Sequence, residues 1–152
     1  MKLLSKTYVK YGLAMCGVIV ACLALMEITG QNKSFDKSPI QLIFMMLSPL
    51  VIWFLGILSK KKQQKNKLTF KQGTIEGIKI SLVYGLVSPF IFVAYYLFVN
   101  PEIISYVKNS YGLGTAPDTV AILVDMLAQL ITALIFGTVY AAIISFFLKS
   151  KS

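Results

Sequence analysis

A chain of 152 residues with 57% hydrophobic content and a mean hydropathy of +0.74 is one domain in length and too apolar for an ordinary soluble fold. Its formal charge of +9 rests on lysine alone. Without arginine or histidine there is no bidentate guanidinium clamp, no imidazole metal ligand and no near-neutral general base.

The first apolar stretch runs from about Tyr11 to Ile28, behind Lys2, Lys6 and Lys10. Ile19-Val20-Ala21-Cys22 fits a lipoprotein cleavage box in which Cys22 would be acylated. The apolar run continues through Leu23 to Met26, however, and cleavage would leave an odd number of spans, so the segment reads as a retained helix. Cys16 and Cys22 fall on different faces of it and cannot bridge each other. A polar loop with Lys33, Asp36 and Lys37 leads to Ser38-Pro39, a helix start. The second span covers about 40–58, with Pro49 near its middle. SKKKQQKNKLTFKQ follows, carrying Lys60, Lys61, Lys62, Lys65, Lys67 and Lys71. It reads first as a solvated loop, yet each lysine near an anionic leaflet gains about 1 kcal/mol. Anionic head groups, not nucleic acid, are therefore the expected partner of this charge.

Thr69 with Gln72 makes a capping box for the third span, about 73–99, with Pro89 inside it. Asn100-Pro101-Glu102 repeats the helix-start pattern, with Asn100 as cap. Ile103, Ile104, Val107 and Tyr111 then predict a short interfacial helix stopped at Gly112. Pro117-Asp118 opens the last span, 118–148, followed by Lys149 and Lys151. Twelve lysines sit on the N-terminus, the second loop (with Lys79 just beyond it) and the tail. Only Lys33, Lys37 and Lys108 lie on the other side. The positive-inside rule places both termini in the cytoplasm. The expected fold is all-α: a four-helix transmembrane bundle with a short outer helix before the last span.

Lipid is as apolar as leucine, so membrane helices associate through small residues. Gly73, Gly77, Ser81 and Gly85 recur every fourth residue in the third span; Ala133, Gly137, Ala141 and Ser145 do so in the fourth. These stripes predict direct contact, and the first helix offers Gly17 and Ala21. Extending the fourth stripe backwards puts Gln129 and Asp125 on the packing face.

Four places are candidates for chemistry. Asp125 would cost about 2.5–3.5 kcal/mol at a bilayer centre, which would mark a functional carboxylate. If the apolar core of the last span is Leu127 to Phe147, it is instead interfacial, the reading the sequence favours. Glu76 and Lys79 form an i, i+3 pair that neutralises itself or, in the sharper reading, gates ions or protons on the cytoplasmic side. Glu27, Asp125 and Glu102 would make an external acidic cluster. Pro49 and Pro89 are candidate hinges, each breaking its helix at similar depth and freeing a carbonyl, on Met45 and Gly85.

The run LTFKQGTIEGIKISLVYG, followed by the aromatic exit YYLFVNPE, resembles a small bacterial four-span membrane family known only as domain of unknown function forty-one ninety-nine. The resemblance implies a helical membrane fold and an inner-membrane address, and no activity. No histidine activates a serine or cysteine, and the acids lack metal-ligand spacing, so neither an enzyme nor a cofactor is expected. The leading expectation is a packing or accessory protein that forms homo-oligomers or binds another membrane protein through its small-residue faces. The alternative is a small carrier or channel using Asp125, Gln129 and the two prolines.

Overall fold

The computed structural model describes residues 6–30 and 39–150, without the side chains of 39–46. The Ser38 cap and Lys2, Lys33, Asp36, Lys37 and Lys151 lie outside the described residues. Within them the chain forms five helices and no strand: α1 (Thr7–Ile28), α2 (Pro39–Gln63), α3 (Phe70–Phe98), α4 (Glu102–Ser110) and α5 (Asp118–Leu148).

Among the described residues α1, α3 and α5 are long and apolar enough to cross a membrane. At 1.5 Å per residue the 29 residues of α3 and 31 of α5 reach about 44 and 46 Å, beyond a hydrocarbon core of about 30 Å. Only 22%, 39% and 28% of the most apolar windows of the three helices is buried. Side chains such as Phe90, Leu123, Leu127 and Ile135 therefore point outward, a surface suited to lipid and not to water.

α3 is the hub, touching each of the other four helices. Against α5 it runs antiparallel with small residue on small residue. Gly73 lies on Ser145, Gly77 on Ala141, Gly137 on Ser81 and Gly85 on Ala133. A Cβ added at Gly77 would fall on the Ala141 side chain, and one at Gly137 on the Ser81 hydroxyl. Backbone-to-backbone approach of this kind is what substitutes for the hydrophobic effect in lipid. α1 makes its close approach at Gly12, where a Cβ would meet Val83, and not at Gly17, which has open space around it. Ala21 is exposed. The expected Gly17/Ala21 contact is corrected accordingly: the face of α1 that meets α3 carries Gly12.

α2 joins this seam through Trp53. Its indole N–H donates to Ser81 Oγ at 3.0 Å, and the Ser81 hydroxyl donates to the Gly77 carbonyl at 2.9 Å. One buried hydroxyl thus ties two helices and satisfies both polar groups. Pro49 and Pro89 do not break their helices: α2 and α3 run through them. Each proline still lacks the N–H of one ladder bond.

The turn from α2 to α3 is built from local bonds. Asn66 N–H reaches the Lys61 carbonyl and Lys65 N–H the Lys62 carbonyl, a Schellman closure with Lys65 and Asn66 at φ +53° and +64°. Thr69 and Gln72 then exchange the two bonds of a capping box. Ser150 pins this turn: its N–H donates to the Leu68 carbonyl, and its hydroxyl donates to the Asn66 carbonyl while accepting Leu68 N–H. Thr7, at the start of α1, donates to Gln63 Oε1. The start of α1, the α2–α3 turn and the end of α5 therefore share one end of the molecule, with all the described lysines except Lys108.

At the opposite end α4 lays Ile104 and Val107 against Tyr95, Tyr96, Leu23 and Ala121. Pro101 takes the N-cap position, one residue later than the expected Asn100, and no side chain caps the helix. Gly112, at φ +67°, turns the chain beyond Tyr111, and Lys108 pairs with Asp118 across the connection.

Candidate functional site

Asp125 lies seven residues into α5, about 10 Å from its start. It is buried, at 8% exposure, on the face that meets α3. Three donors converge on its carboxylate. Tyr96 O–H reaches Oδ2 at 2.9 Å, Tyr111 O–H reaches Oδ1 at 3.2 Å, and the Gln129 amide N–H also binds Oδ2. The donors come from the end of α3, the close of α4 and the next turn of α5, so one side chain collects three elements. An acceptor-only carboxylate with three donors keeps its charge tolerable away from water. Burial first, and then the negative Asp125 beside it, push the Tyr111 phenol above its ordinary value, so it stays a donor. Gln129 Oε1 is the group this network leaves buried without a partner.

The other candidate acids are placed apart. Glu27 accepts the Tyr95 hydroxyl at 2.9 Å, and Glu102 sits in the first turn of α4. The described residues contain no group of three acids or cysteines able to hold a metal. Cys16 is buried and Cys22 half-buried, both as free thiols within α1.

Glu76 is 3% exposed, six residues into α3 near the lysine-rich end. Its ion pair crosses to Lys60 of α2, Nζ to Oε2 at 3.8 Å. The expected pairing with Lys79 is corrected. Lys79 instead points over the Tyr8 ring of α1, 5.5 Å from its centre. Lys60, Lys61 and Lys62 occupy the last turn of α2, where cations favour the helix dipole. Lys65, Lys67 and Lys71 are exposed around the turn.

Sequence reasoning located Asp125 and Gln129 on the packing face but missed the tyrosines that complete the site. The adjacent pair Tyr95-Tyr96 at the end of α3, and Tyr111 just before the Gly112 stop, were the available signals. No curated protein and no solved structure matches the chain. Residues 10–150 match the family described as "Protein of unknown function (DUF4199)". With nearly the whole chain covered, the protein belongs to that family.

Proposed function

We propose that the chain is a non-enzymatic accessory protein of a bacterial cytoplasmic membrane, which crosses it four times with both termini inside. In this reading it binds another membrane protein or further copies of itself. The concentration of lysines at one end supports the orientation, because basic residues are retained on the cytoplasmic side. The observation that carries the functional reading is the closed state of the interior. Gly73, Gly77, Gly85, Gly137 and Ala141 are occupied within the chain, and each oxygen of Asp125 already accepts at least one hydrogen bond from it. Such an interior favours a rigid scaffold over a path. A partner would then meet larger outward side chains, such as the α5 ridge Leu123, Leu127, Ile131 and Ile135, and not the small-residue stripes. Lys60 to Lys71 would hold the scaffold against anionic lipid.

Crosslinking in native membranes, followed by mild-detergent purification and mass spectrometry, tests the reading. A stoichiometric second protein or a defined homo-oligomer is the expected result. A lone monomer, or an ion flux in vesicles that Asp125→Asn abolishes without loss of fold, would overturn it.

A further inference from the structure

At the lysine-rich end the starts of α1 and α3 and the end of α2 enclose an open cleft of about 420 Å³, lined by Lys6, Thr7, Tyr8, Lys60, Gln63, Glu76 and Lys79. That volume is within the range of small-molecule sites. Three ammonium groups face it against one carboxylate, so the cleft carries excess positive charge.

The cations gather around Tyr8 and Glu76. Lys6 and Lys79 approach the ring of Tyr8, at 5.9 and 5.5 Å from its centre, and Lys60 is held by Glu76. Cation–π approach and an ion pair bring the three ammonium groups to one cleft before an anion arrives. They come from the N-cap of α1, the last turn of α2, and α3, and phosphate oxygens, more numerous than a carboxylate's, can be shared among them. Beside them Glu76 Oε1 is buried with no hydrogen-bond partner. A buried acceptor left unmatched is costly, and a ligand hydroxyl would satisfy it.

We infer that this cleft binds a phosphate group that carries, or sits next to, a hydroxyl: the lysines hold the phosphate oxygens and Glu76 Oε1 accepts the hydroxyl. A phosphoglycerol lipid head group and free hydrogen phosphate share that chemistry. The inference deepens the contact with anionic lipid proposed above. It depends on the membrane placement only for the lipid source, and not on the existence of a protein partner.

The test uses the full chain, stripped of lipid in detergent and transferred to phosphatidylcholine nanodiscs containing phosphatidylglycerol. Native mass spectrometry then counts retained lipid. Wild type should keep one phosphatidylglycerol, and Lys79→Gln and Lys60→Gln should each weaken retention about tenfold, the worth of one charge-assisted hydrogen bond. Lys108→Gln, at the opposite end of the molecule, should behave as wild type. Displacement of the lipid by millimolar inorganic phosphate, or a phosphate-dependent rise in unfolding temperature lost in Lys79→Gln, would identify free phosphate as a ligand of the same site. Equal retention in all variants, or neither lipid retention nor a phosphate effect in wild type, would overturn the inference. Trp53 fluorescence on heating checks each fold, and Lys6→Gln replaces Lys79→Gln if that variant does not fold. The crosslinking pattern should persist in these variants, which separates failure here from failure of the accessory reading.

Discussion

The two ends of the α3–α5 seam each bury a carboxylate at similar depth, and treat it in opposite ways. Asp125 is met by two tyrosine hydroxyls and an amide, all neutral donors from its own chain. Glu76 has one lysine at 3.8 Å and an oxygen with no hydrogen-bond partner, beside an open basic cleft. Burial of an acid is common to both. What separates them is the match between acceptors and donors: a matched carboxylate is a staple, and a half-matched one is poised to take a ligand.

The largest effect should come from breaking what both ends share. Gly137→Leu forces a side chain into Ser81 and Trp53 and should cost about 3 kcal/mol or more, seen as loss of monodisperse protein in size-exclusion chromatography. Next, Asp125→Leu strands the donors of Tyr96 and Gln129 and should lower stability by about 2 kcal/mol in detergent unfolding. Glu76→Gln should change stability by no more than about 0.5 kcal/mol, because half-exposed Lys60 can turn to solvent. A large loss there would erase the contrast between the ends. The smallest effect is at high pH. The Tyr111 phenol is held above its usual 10.0, so its contribution is whole below pH 10 and falls as pH rises past that value. Tyr111→Phe should remove this alkaline component from the melting profile.

Short-range grammar was legible in the sequence. The Thr69/Gln72 capping box and the Gly112 turn depend on residues within one helical turn of each other. The small residues spaced by four in α3 and α5 were legible for a related reason: a face that must approach another backbone repeats with the helix. Partners across helices were not. The sequence set Glu76 beside Lys79 because they are neighbours on one helix, whereas packing brings Lys60 of α2 to it. Gly17 and Gly12 both look suited to close contact, and only the rotation of α1 about its axis selects Gly12. Proline signals a lost hydrogen bond, but not whether the helix continues through it, as α3 does through Pro89.

The antiparallel seam also imposes an order on biosynthesis. A chain made from its N-terminus releases the glycine stripe of α3 long before α5 exists, and about 64 residues separate Gly77 from Ala141. At ~5–20 residues per second that leaves the stripe facing lipid, or the insertion machinery, for several seconds. All four contacts of the seam, from Gly85 with Ala133 to Gly73 with Ser145, wait for α5. The Ser150 clasp on the α2–α3 turn follows α5 in the chain, so a chain stopped before α5 has neither the seam, nor the Asp125 staple, nor the latch on its lysine-rich end.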